Sequence, residues 1–510
     1  MCSNPIIWAD FPDLDVIRVE DTYYMISTTM HFMPGGVILR SYDLYHWELA
    51  AYVYDRLEET KGQKLSEDKN IYGKGMWAAS LRYHEGIFYV CFVANDTHKT
   101  YLYQAENIEG PWRKQYIDGF YHDCSLLFEE KRVYIVYGNK EIYITELDQN
   151  LSGPKKGGLH RMLLKDTNNV ILGYEGSHIY KINNKYYLFL IHWPAEGTKR
   201  RVQSCFVSDS LQGDFVGKDV LDDDLGFFNQ GVAQGGIVDT PAGEWYAMLF
   251  QDHGAVGRIP VLVPFVWEED FPVFGFDGKV PGILRVESTR KGHLYEPLVA
   301  SDDFNYLPDK EGRVHLKKMW QWNHLPENEL WSVLENPGHL QLKTASICKG
   351  LEQARNTLTQ RLMGPVSQVF VTVEYGGLKN GDYAGICALQ GDFGFIAVKR
   401  NENKNYLVMA AKEAVQTHPY GEQVRQEQEY AKVPITGTQI TLMVSVDFCN
   451  MADEAEFFYL EDEKFKRLGP IHKLTFRLDH FVGCRVGLFY YSTKESGGKV
   501  SFSEFTYNQK

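Results

Sequence analysis

The stretch HIYKINNKYYLFLIHW, residues 178–193, joins two runs of aromatic and β-branched residues through INNK (182–185). Short apolar runs separated by an Asn-rich connection read as two antiparallel strands and a hairpin turn. The same pattern extends in both directions. TYYMIST, GGVILRS, IFYVCFV, TYLYQAE, RVYIVYG, EIYITEL, RVQSCFV and EWYAMLF are all strand-like and bounded by Gly, Asn, Asp or Pro. No long stretch carries a 3.6-residue apolar period, so little helix is expected.

A weak repeat runs through the first 300 residues. Strands end in turns that carry an aromatic, as in SYDLYHW (41–47), AENIEGPW (105–112) and SDSLQGDF (208–215). Small antiparallel sheets separated by such turns are the sequence form of propeller blades. After the Trp- and Pro-rich VPFVWEEDFPVFG (263–275) the composition changes, and DDFNYLPDKEG (302–312) opens a second series of longer strands. Evenly spaced strands with Gly turns read as a β-sandwich. The expected fold is all-β, a propeller over 1–298 and a sandwich over 299–510.

Composition narrows the function. The 510 residues carry a formal net charge of −14 with no long Lys/Arg block, which argues against a nucleic-acid or anionic-membrane partner. Aromatic residues reach 14%; most belong in strands, and some suit stacking on sugar rings. The eight cysteines are scattered, with no CxxC pair and no zinc-like Cys/His spacing, as in a reducing compartment. No apolar run approaches a membrane span and no leader precedes the fold-like sequence, so a cytoplasmic location is expected.

The chemistry begins at NPIIWADFPDLDVIRVEDTYY (4–24), where carboxylates cluster just before the first strand. This opening resembles that of glycoside hydrolase family 43, and the similarity recurs in order along the chain. WAASLRYHEGIFYV (77–90), HDCSLLFEEKRVYIVYG (122–138), EGSHIYKINNKYYLFL (175–190), GGIVDTPAGEWYAMLFQD (235–252) and GAVGRIPVLVPFVWEEDFPVFG (254–275) are similar to successive family motifs. WQWNH (320–324), ARNTLTQR (354–361), GDYAGI (381–386) and FFYLEDEKFKRLG (457–469) resemble the concanavalin-like sandwich often appended to such enzymes. The resemblance implies a five-bladed propeller and an inverting, exo-acting hydrolase releasing L-arabinofuranose from arabinoxylan-derived or arabino-oligosaccharides. β-Xylosidase is the alternative, and a non-catalytic sugar-binding propeller a third reading. No catalytic cofactor is implied, and the oligomeric state stays open.

Carried over residue by residue, the resemblance places the general base on Asp13, the acid-modulating carboxylate on Asp123 and the general acid on Glu175. Inverting glycosidases need such a pair on opposite sugar faces, ~6.5–9.5 Å apart to admit water. The acid must also hold its proton near neutral pH, which a neighbouring carboxylate helps it do. Trp77 is a candidate sugar platform or a core Trp, and Arg258 a candidate sugar contact or a salt-bridge partner. His31 and Phe32 are expected at the pocket entrance. Asp10 and Asp15 read as solvated or capping residues. Gln230 and Gln234 stand where the family often carries a central His, which speaks against a His-bound ion. Asp302 and Asp303 could bind a structural calcium ion, though surface solvation is the plainer reading. The prolines that adjoin the family motifs are replaced by Leu14, Ala79, Cys124 and Ser177, so the backbone there must be held by other means.

Overall fold

The computed structural model describes residues 2–167, 172–414 and 425–510. Five four-stranded antiparallel sheets follow one another between Asp15 and Phe274. Their first strands are Asp15–Val19, Met76–His84, Ser125–Glu129, Glu175–Ile182 and Ala233–Asp239. These five lie side by side in a ring, the fifth next to the first. The arrangement is a five-bladed propeller. Its hairpins form where the sequence placed them: Ile182 pairs with Lys185, and Asn183 and Asn184 take the left-handed φ values of 50° and 63° that such a turn requires. Apolar faces of adjacent blades meet, as in the cluster of Leu127, Tyr134, Ile144, Ile179 and Leu188.

The C-terminal region is a sandwich of two eight-stranded antiparallel sheets. Alternating residues of Val366–Glu374, Asp382–Leu389 and Gln439–Asp447 supply its core through Val369, Val371, Ile386, Leu442 and Val444. The described residues contain no helix long and apolar enough to cross a membrane.

Two contacts between propeller and sandwich bear on the site. Phe32–Met33, from the first blade's loop, pairs with Trp322 and Asn323 and so becomes the edge strand of a sandwich sheet. Asp10 of the propeller accepts hydrogen bonds from the backbone N–H of Gly483 at 2.8 Å and of Arg258 at 2.9 Å. The approach at Gly483 is close. A Cβ there would lie 2.2 Å from the Val256 carbonyl oxygen and 2.5 Å from Asp10. The sandwich loop that contains Phe481 is thus held against the propeller.

Asp302 is buried rather than solvated. It accepts hydrogen bonds from Trp320 Nε1 at 2.7 Å, Lys317 Nζ at 3.0 Å and the Phe304 N–H at 2.9 Å, with the Tyr306 hydroxyl as a fourth donor. Asp303 accepts from Asn305. A calcium ion needs free carboxylate oxygens. These are occupied by donors, one of them a cation, so the pair does not fit calcium.

Candidate active site

Asp13, Asp123 and Glu175 line one cavity on the propeller axis. Each arrives at the start of a different blade's inner strand, which is why separations of over 100 and of 52 residues in sequence collapse to one place. Asp13 and Asp123 take left-handed backbone conformations, φ 53° and 48°, which turn their carboxylates inward just before the strands begin. Trp77 and Arg258 line the same cavity. Arg258 Nη1 donates to Asp13 Oδ1 at 2.7 Å, with both side chains almost fully buried.

Asp10 and Asp15 are not solvated. Both are buried, and they hold the segment that carries Asp13. Asp15 Oδ2 accepts from Arg82 Nη1 at 2.6 Å and the Leu81 N–H at 2.8 Å, while Oδ1 lies 3.3 Å from His178 Nδ1. Arg82 reaches onward to Ser125 Oγ at 2.7 Å and the Leu126 carbonyl at 2.9 Å, and packs over the Tyr180 ring. One guanidinium therefore ties together the first four blades beneath the site. Burial alone would raise the Asp15 pKa, but the Arg82 and His178 charges override it and hold the carboxyl below its usual range. This hub, with hydrogen bonds to the Pro12 carbonyl from Ser27 Oγ at 2.7 Å and to the Leu14 carbonyl from the Gly236 N–H at 3.0 Å, fixes the backbone without the family's prolines.

His31 and Phe32 do not line the cavity; their neighbour Met30 does. Both are 1% exposed. The edge pairing of Phe32–Met33 draws this loop into the sandwich, where Arg485 sits over the Phe32 ring and His31 packs on Tyr72 and His324.

Six further residues complete the wall: Ala78, His122, Arg201, Gln234, Phe250 and Phe481. His122 Nε2 lies 3.7 Å from Asp123 Oδ1 and 3.9 Å from Glu175 Oε2. Arg201 pairs with Asp252; burial and the nearby Arg258 charge lower its pKa to about 10. Gln234 packs against Gly176, where a Cβ would meet Gln234 Cδ at 2.7 Å, so a glycine beside Glu175 makes room for this side chain. Phe481 comes from the sandwich, its ring under the Arg258 guanidinium at 4.2 Å. Trp77 is half-buried, with its indole N–H on the Gly73 carbonyl at 3.3 Å and its ring beside His122 and Phe481. Gln230 is not part of the wall, although its carbonyl accepts from Gln251.

The electrostatics are those of crowded carboxylates. Burial, reinforced by the charges of Glu175 and Asp13, pushes Asp123 up to about 7. Burial would lower the His122 pKa, but the charges of Asp123 and Glu175 prevail and raise it to about 9. Asn139 Nδ2 donates to Glu175 Oε2. The cavity measures about 50 Å³, room for a few waters. Among the described residues, His122, Asp123 and Glu175 are the one trio of imidazole and carboxylate groups drawn within 4.8 Å of one another. Their atoms are the ones acid–base chemistry would use.

Comparison with known proteins agrees with this architecture. Residues 2–272 match the model of glycosyl hydrolases family 43, and residues 311–508 that of the β-xylosidase C-terminal concanavalin A-like domain. A protein named β-xylosidase from Formosa agariphila is 28% identical over 99% of this chain and 90% of its own length. A non-reducing end α-L-arabinofuranosidase from Bacteroides ovatus is 27% identical over 68% of this chain and 65% of its own. A solved structure described as a bifunctional GH43-CE protein of Bacteroides eggerthii superposes with a TM-score of 0.91 at 41% identity. It covers all of this chain, which spans 64% of that longer one. The chain, with its five blades and their converging carboxylates, belongs to glycoside hydrolase family 43.

Proposed function

We propose that the protein is an inverting, exo-acting glycosidase that removes one terminal pentose, in the first reading L-arabinofuranose from arabinoxylan-derived oligosaccharides. The observation that carries this reading is the small cavity in which Asp13, Asp123 and Glu175 converge. A cavity this small favours cleavage at a chain end. Asp13, oriented by Arg258, acts as the base that activates water. Glu175 acts as the acid that protonates the departing oxygen, and Asp123 stands beside it as the modulating carboxylate. Trp77 and Phe481 offer apolar faces for the ring. A binding protein without catalysis would have no use for three carboxylates held together at the cost their burial imposes.

D-Xylose is the second reading. It is favoured by the name of the Formosa relative, a β-xylosidase, and by that of the sandwich family, while the Bacteroides ovatus relative's name favours arabinose. Cys91, Cys124, Cys205, Cys348, Cys387, Cys449 and Cys484 are free, which supports a reducing, cytoplasmic setting and an imported oligosaccharide as substrate.

The test is a pair of aryl glycosides, α-L-arabinofuranoside and β-D-xyloside, with the product anomer followed by proton NMR. Preferential release of β-L-arabinofuranose supports the first reading, and of α-D-xylose the second. Retention of configuration, or turnover of neither compound, overturns the proposal.

A further inference from the structure

His122 has a geometry that neither packing nor the three carboxylate roles explain. Its Nε2 is buried yet makes no hydrogen bond, although buried polar atoms are rarely left without a partner. It stands nearly equidistant from two carboxylates, 3.7 Å from Asp123 and 3.9 Å from Glu175. The ring is fixed against Trp77, with centroids 5.6 Å apart. The side chain as a whole is 22% exposed and lines the cavity.

The surroundings define what charge it feels. Asp123 and Cys124 face it from its own segment and Glu175 from the fourth blade. Behind these stand Asp13, paired with Arg258, and Arg201, paired with Asp252. The two arginines are engaged by their own carboxylates. His122 is the cationic group placed between Asp123 and Glu175.

We propose that His122 is a positioning residue for the acid's proton: the imidazolium between Asp123 and Glu175 offsets the Asp123 charge and stabilises the carboxylate that Glu175 becomes as it protonates the leaving oxygen. The inference rests on the assignment of Glu175 as the acid. Asp123 and His122 then act in opposite senses. Where Asp123 is ionised, above about pH 7, the first opposes loss of the Glu175 proton before the bond breaks, and the second makes its departure easier. A cation beside a carboxyl favours the ionised form, and burial strengthens the effect. The balance between the two neighbours sets the upper pH limit of activity.

The test uses His122→Asn and His122→Gln in the full chain. With the better of the two aryl glycosides, the basic limb of kcat/KM against pH should move up by about one pH unit, while Asp123→Asn moves it down. A purely structural role would lower kcat without moving the limb. An unmoved limb, or one moved down, overturns the proposal. A second measurement needs no substrate and no activity. In protein labelled at the Glu carboxyl carbons, the signal lost in Glu175→Gln should titrate at higher pH in whichever His122 variant folds. An unchanged midpoint overturns the proposal. A raised midpoint in a protein that hydrolyses neither glycoside would uphold His122 and refute the proposed activity.

Discussion

The Phe481 ring, from the sandwich, lies 4.2 Å from the Arg258 guanidinium of the propeller, and that guanidinium holds Asp13 at 2.7 Å. The second domain therefore forms part of the cavity wall and buttresses the arginine that orients the proposed base. Phe481→Ala should remove a cation–π contact worth about 0.5–2 kcal/mol and one wall of the sugar site. We expect kcat/KM to fall by about 3–30-fold, mostly through KM, with the melting temperature little changed. Unaltered kinetics would make Phe481 a bystander.

Asp13→Asn should lower kcat by about 10²–10⁴ with little change in sugar affinity, the usual worth of a positioned base. Asp10 and Asp15 are already committed to backbone and arginine partners, so neither can take over. Turnover near the wild-type rate would remove Asp13 from the mechanism.

Asp15 should behave in the opposite way, as a stability residue. Asp15→Ala leaves the Arg82 charge buried among four blades without its partner, a loss of about 3–5 kcal/mol. Denaturant unfolding of the propeller should show it. A loss below about 1 kcal/mol would mean that the hub does not hold the blades together.

These two neighbours show where the sequence was legible and where it was not. Strand runs and the INNK turn are local signals, and the structure places strands and turn accordingly, with a sandwich after the propeller. Asp13, Asp123 and Glu175 became visible together through their ordered motifs. The burial of Asp10 and Asp15 was hidden because their partners are remote: Arg82 is 67 residues from Asp15, and Gly483 is 473 from Asp10. Phe481 and Arg201 carry no motif of their own, and only the docking of the sandwich and the closing of the ring bring them to the cavity. His122 was the nearest to being readable, since it adjoins Asp123. His31 and Phe32 were misplaced because nothing local announces that a propeller loop will pair with a sandwich sheet.

The site should also make stability depend on pH. Asp123 titrates at about 7 in the folded protein against an ordinary 3.8. The native state therefore holds this proton more tightly than the unfolded chain, and the resulting stability is lost as pH rises through about 7. His122, raised to about 9 from 6.5, contributes stability that is full below its unfolded value and lost as pH climbs through about 9. Both terms fall in the same direction. The melting temperature should drop between about pH 4 and pH 9, through Asp123 up to about pH 7 and through His122 between about 6.5 and 9. Asp123→Asn should flatten that drop and raise the melting temperature at pH 8 by about 2 °C or more. An equally steep drop in the variant, or a less stable variant at pH 8, would contradict this account of the cluster.

The central claim is that Glu175 is the acid and Asp13 the base, and one comparison tests it most directly. An oxygen leaving from an oligosaccharide needs a proton as the bond breaks, whereas a nitrophenolate leaves as a stabilised anion and needs far less help. Glu175→Gln and Asp13→Asn are each assayed on an oligosaccharide and on the nitrophenyl glycoside of the same pentose. The account predicts that Glu175→Gln cripples turnover of the oligosaccharide and largely spares the nitrophenyl glycoside, while Asp13→Asn damages both. Equal losses on the two substrates in Glu175→Gln would contradict its role as the acid, and the reverse selectivity would exchange the two roles.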